Sequence, residues 1–113
     1  MAAQPEIHEG DVGTKLRVLV QRDGVVFNVS VANGNTVKTI KLRDKDGTVK
    51  VKTASYGDEP GDAGDGTDGI LQYTTLDSDL DSSGPWDIQA YVEHGTSVKF
   101  HTSQTAFPVL PNL

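Results

Sequence analysis

Residues 84–102 read GPWDIQAYVEHGTSVKFHT. Trp86, Ile88, Ala90 and Val92 alternate with Asp87, Gln89, Tyr91 and Glu93. After a turn at His94-Gly95-Thr96, Val98 and Phe100 alternate with Lys99 and His101. A period of two belongs to a strand with one buried face. The two runs predict a β-hairpin, entered at Gly84-Pro85. Its inner face, Trp86, Ile88, Val92, Val98 and Phe100, is the expected core, closed over the chain's only tryptophan. Its outer face is mixed polar with one aromatic, which suits a subunit contact better than an active site.

Working outward, a chain of 113 residues makes one domain with a modest core. Valine dominates the apolar set, glycine is abundant, and long runs of good helix formers are missing, so an all-β domain with many turns is expected. The absence of cysteine excludes disulfides, thiolate metal sites and cysteine nucleophiles. The first residues carry neither a basic nor an apolar leader region, and no apolar stretch approaches the roughly 20 residues of a membrane span. Synthesis in a cytoplasm without membrane insertion is the expectation, and the sequon Asn28-Val29-Ser30 is read as chance. A net charge of -6 argues against nucleic acid as the main partner.

Upstream of the hairpin the turn signals are dense. Residues 1–13 read as an extended arm, held only if something holds it. Leu16, Val18 and Val20 share one strand face, Asp23-Gly24 is a hairpin turn, and Val25, Phe27, Val29 and Val31 share the next face. Asn33-Gly34 is a second turn of the same kind. Thr36 to Arg43 follows with Ile40 and Leu42 inward. Asp46-Gly47 turns it, and Val49, Val51 and Thr53 are expected inward with Lys50 and Lys52 outward, a hairpin with a basic outer face. Residues 57–69, GDEPGDAGDGTDG, hold nothing apolar beyond alanine and read as a long surface loop. Ile70 to Thr74 is a strand, Leu76 and Leu80 are spaced for one helical turn, and Thr105 to Leu110 is the last strand, ended by prolines. Residues 14–110 thus predict an immunoglobulin-like β-sandwich of seven or eight short antiparallel strands, with residues 111–113 as a tail.

No motif of catalysis is present. Asp58, Glu59, Asp62, Asp65 and Asp68 are oxygen donors in a flexible loop, but without EF-hand spacing they read as a solvated acidic loop. Asp77, Asp79 and Asp81 have calcium-loop spacing, but Leu80 and the missing glycine break it. His8, His94 and His101 read as ordinary histidines, and no cofactor or metal is expected.

Charge is segregated along the chain. Lys38 to Lys52 holds Lys38, Lys41, Arg43, Lys45, Lys50 and Lys52 against Asp44 and Asp46, a net of +4. Gly57 to Ser82 holds eight acidic residues and no basic one, a net of -8. The expectation is that one copy's basic hairpin (Lys38, Lys41, Arg43, Lys50, Lys52) meets another copy's acidic loop, or an acidic partner; such complementarity sets register and partner choice. Reversing Lys41, Lys50 and Lys52 to Glu should then abolish assembly. The alternative is that the lysines only protect an edge strand from aggregation. The basic hairpin lacks interleaved aromatics, so no stacking platform for nucleic acid is present.

Four signatures come in order: Gly10-Asp11-Val12-Gly13-Thr14, Lys45-Asp46-Gly47-Thr48-Val49, Gly69-Ile70-Leu71-Gln72-Tyr73 and Gly84-Pro85-Trp86. Together, over most of residues 7–110, they resemble the immunoglobulin-like N-terminal domain of tailed-phage baseplate upper proteins and related small phage tail and fibre domains. The loop at 57–69 is longer and more acidic than the short link usual there. The resemblance implies a non-enzymatic virion protein docking tail, baseplate or fibre components. Other virion proteins and further copies of itself would be its partners, and its extended ends, 1–13 and 104–113, would reach neighbouring subunits. A capsid decoration protein is a related possibility. A small carbohydrate-binding β-sandwich is a different one; it would need exposed aromatics, for which only Tyr56, Tyr73 and Tyr91 are available.

Overall fold

The computed structural model describes residues 6–112, and its regular elements are short strands and a 3-10 turn. In chain order these are β1 (Lys15–Leu19), β2 (Gln21–Arg22), β3 (Val25–Val26), a 3-10 turn (Val31–Asn33), β4 (Asn35–Arg43), β5 (Val49–Thr53), β6 (Ser55–Tyr56), β7 (Ile70–Thr74), β8 (Gly84–His94), β9 (Val98–His101) and β10 (Thr105–Val109).

Two antiparallel sheets face each other. One is ordered β1-β7-β6; the other is β10-β8-β4-β5, with β9 also on β8. This is the strand order of an immunoglobulin-type sandwich, B-E-D against G-F-C-C′. β9 and β10 lie along the same edge of β8 and form one interrupted strand. At the interruption Thr102 accepts the Ala90 amide on its hydroxyl (3.0 Å) and gives its own amide to the Ala90 carbonyl (2.9 Å).

The core joins both sheets. Leu16, Val18 and Leu71 come from one, with Val20 just past the end of β1, and Ile40, Leu42, Trp86, Ile88, Ala90, Val92, Phe107 and Val109 from the other. Trp86 is fully buried, its ring N–H donating to the Ser82 carbonyl at 3.0 Å. The expected hairpin at 84–102 is present as β8 and β9, with Phe100 half-buried against the core and Val98 half-buried beyond it. The Asp23-Gly24 turn is also present, with both residues at positive φ (55° and 79°), which the two-residue hairpin turn requires.

Three local expectations change. The strand over Val25–Val31 stops after Val26, leaving Val25 and Val31 exposed. There the Asn28 side chain accepts the Ser30 amide and the Ser30 hydroxyl accepts the Asn33 amide. These local bonds replace a ladder and turn Asn33-Gly34 into the end of a 3-10 turn rather than a hairpin. Leu76 and Leu80 do not share a face: Leu80 is buried and Leu76 is 62% exposed, in a turn without a helix. The third change, in β5, bears on the site and is described below.

Of the arm at 1–13, residues 1–5 lie outside the described residues, as does residue 113 of the tail. Residues 6–13 are bound to the chain's own sandwich. Ile7 is buried, His8 bridges Leu110 in parallel, and the Gly10 and Gly13 amides reach the Leu80 and Thr75 carbonyls. β10 pairs with β8 in its own sheet, so residues 6–13 and β10 are packed on this copy.

Candidate interaction surface

The β4–β5 ladder pairs Ile40 with Lys52 and Leu42 with Lys50. Residues opposite each other in a ladder share a face, so Lys50 and Lys52 stand on the core side and Val49, Val51 and Thr53 on the outside. This reverses the expected phase. Val49 is 52% exposed and Val51 62%. The physical reason lies in the β7–β8 connection. Lys52 Nζ sits 2.8 Å from Asp79 Oδ1, and Lys50 Nζ sits 3.2 Å from Asp81 and donates to the Ser78 and Asp79 carbonyls at 2.7 and 2.8 Å. Their stems cover aromatic rings on the way: Lys50 Nζ is 5.6 Å from the Trp86 ring centre, and Lys52 Nζ 5.8 Å from that of Tyr73.

Asp79 is the hub of this inner site. It is buried and also accepts the Tyr73 hydroxyl and the Leu76 amide. Burial alone pushes its pKa up; Lys52, Tyr73 and the Leu76 amide outweigh burial and hold the carboxyl below its ordinary range. Burial, and then Asp79, push the Tyr73 hydroxyl up to about 12.

The acidic loop is occupied in the same way. Asp58 and Glu59 lie 2.9 and 3.5 Å from Lys15 Nζ, and Lys15 holds the Asp58 carboxyl below its usual range. Asp62 takes both terminal nitrogens of Arg17 at 2.6 and 2.7 Å and is itself depressed by that pairing. Asp65 accepts the Thr67 hydroxyl and amide, which lower its pKa, and Asp68 accepts the Ala63 and Ile70 amides. The loop is therefore folded over the outer face of β1 and β7, where Arg17 and Gln72 are buried beneath it. Gly66, at φ 85°, permits this closeness: a Cβ there would lie 2.5 Å from the Tyr56 ring. Among the described residues no three His, Cys, Asp or Glu converge as a metal site.

Within one copy, then, Lys50 and Lys52 of the basic hairpin are occupied by Asp81 and Asp79, and the loop carboxylates Asp58, Glu59 and Asp62 by Lys15 and Arg17 instead of by the hairpin. Lys38 also stands on the core side of β4, over the Tyr56 ring at 4.9 Å. Reversing Lys41, Lys50 and Lys52 together would strike the fold before any assembly. Arg17 was missed by sequence reasoning; the only signal was a charged residue inside an apolar strand.

Lys41 and Arg43 do remain on the outer face of the larger sheet. Arg43 donates to Asp87 (2.7 Å) and Gln104 (2.8 Å). Lys41 lies 3.1 Å from His101 Nε2, and the His101 ring packs tilted against Tyr91 with centroids 4.6 Å apart. The Glu93 carboxylate accepts the Tyr91 hydroxyl at 2.9 Å and raises its pKa. With Val49 and Val51 alongside, this open face offers hydrogen bonds, one aromatic pair and apolar contact. It can recognise a surface without covalent chemistry. No family model, curated protein or solved structure matches the chain.

Proposed function

We propose that this domain is a non-catalytic docking module, a structural protein of a tailed-phage particle that joins tail, baseplate or fibre components. The observation that carries the docking part is the outer face of the larger sheet. There, exposed Val49 and Val51 lie beside Lys41, Arg43, Tyr91 and His101. Exposed apolar groups rimmed by hydrogen-bonding ones are what a protein partner uses. The particle part rests on the four sequence signatures that resemble phage tail domains, set on an immunoglobulin-type sandwich.

Carbohydrate binding finds less support. It needs a platform of open rings, and Tyr56 and Tyr73 direct their hydroxyls to the Val29 carbonyl and to Asp79. Tyr91 is the tyrosine left on the open face.

Quantitative mass spectrometry of purified virions tests the reading. A fixed copy number per particle is expected, together with loss of incorporation when Tyr91 and Arg43 are replaced by Ala and Glu. Absence of the chain from every virion preparation would end the reading.

A further inference from the structure

We propose that the free edge of β5 is a homotypic docking site. A second copy of the chain adds its own β5 there, antiparallel, about a two-fold axis through Val51. This goes beyond the reading above and does not depend on the particle.

Among the described residues β5 pairs with β4 alone. The ladder is flanked by bonds from the Asp44 amide to the Thr48 carbonyl (3.0 Å) and from the Ala54 amide to the Lys38 carbonyl (3.1 Å), and its register has no shift. Bonded residues alternate along an antiparallel ladder. Lys50 and Lys52 therefore spend their backbone groups on β4, and Val49, Val51 and Thr53 turn theirs to the open side. Among the described residues these outward groups meet no partner.

A two-fold at Val51 matches all of them. Val51 faces its own copy, and Val49 faces Thr53, so each outward residue meets an outward residue. The side chains that meet on the exposed face are all uncharged and β-branched, which pair well across strands. On the other face Lys50 would meet Lys52, and a lysine there ordinarily guards an edge. Here the guard is neutralised. Lys52 is on Asp79 and Lys50 on Asp81, so the four charges of each copy sum to zero before two copies approach. The two-fold closes the contact and produces a dimer, not a fibre. A five-residue seam is about 17 Å long and alone falls short of the roughly 1,000 Å² of a lasting interface, so the dimer is weak and concentration-dependent.

The chain has no cysteine, which makes single-cysteine variants clean probes. Directly opposed residues in such a pair have Cα atoms about 5.5 Å apart, within disulfide range. Under mild oxidation Val51→Cys should cross-link about tenfold faster than Val49→Cys, which faces Thr53 of the other copy. In sedimentation equilibrium from about 10 μM to 1 mM, the wild type should dimerise by mass action and Val51→Lys should weaken the dimer at least about tenfold. Val51 is exposed, so the lysine leaves the fold intact, and the cross-linking comparison does not depend on that variant. A wild type that stays monomeric throughout overturns the proposal. So does a dimer indifferent to Val51→Lys, or a Val49→Cys variant that links as fast as Val51→Cys.

Discussion

The β8–β9 and β4–β5 hairpins close the same core in opposite ways. β8 buries Trp86, Ile88, Ala90 and Val92 and leaves Asp87, Gln89, Tyr91 and Glu93 outside. β5 does the reverse: its valines face outward and its lysines go under the sheet. β8 is central, flanked on both edges, and its inner face has the whole opposite sheet to pack against. β5 is at an edge, where the core thins, and a long stem ending in a charge covers more of Trp86 and Tyr73 than a valine can reach. The charge is tolerable because Asp79 and Asp81 wait at its end. An inner face is thus decided by what the neighbouring element offers, and apolar character alone does not settle it.

The largest test of this contrast is Trp86→Ala. It should cost about 3–5 kcal/mol in denaturant unfolding, since it empties the centre of the core. A loss below about 1 kcal/mol would mean β8 is not the keystone. Next is Asp79→Ala, which strands Lys52, Tyr73 and the Leu76 amide together; about 2–3 kcal/mol is expected. If Asp79→Ala is silent, the inward lysines are not held by this hub.

Titration should come third. Tyr73 has its folded pKa raised from 10.0 to about 12. Its contribution is complete below pH 10 and is lost as pH rises from 10 through about 12. Spectrophotometric titration should show a tyrosine step near pH 12 that is absent in Tyr73→Phe, with Tyr91 also displaced upward by Glu93. The depressed carboxyls Asp58, Asp62, Asp65 and Asp79 work with the opposite sign, helping above their ordinary pKa of 3.8 and failing as pH falls below it. The smallest effect is the sharpest for β5. Val51→Thr should change stability by no more than about 0.5 kcal/mol in dilute protein, as an exposed site does. A loss near that of a core valine would restore the inward phase.

Where one local rule governs, the fold was legible. Asp23-Gly24 needed only two residues able to hold positive φ, and β8 carried a ring too large to leave in water. In β1 the alternation of Leu16, Val18 and Val20 marked the inner face, but it could not mark Arg17 as a buried site, because its partner Asp62 lies 45 residues on. The Leu76–Leu80 spacing allowed a helical turn. The structure instead closes that turn with the Asp79 carboxylate on the Leu76 amide, and only Leu80 enters the core.

The sequence by itself determined an all-β chain, the places where it turns, and the Trp86 strand as the core, because alternation and turn residues act over a few neighbours. Tertiary structure alone decided which side of β5 is the inside, where the acidic loop lies, and which strand edge is left open. The first two depend on carboxylates brought from elsewhere in the chain to meet Arg17, Lys50 and Lys52, and the third on the strand order of the sheet. A period of two is the same whichever face is buried; only the arriving partner breaks the tie.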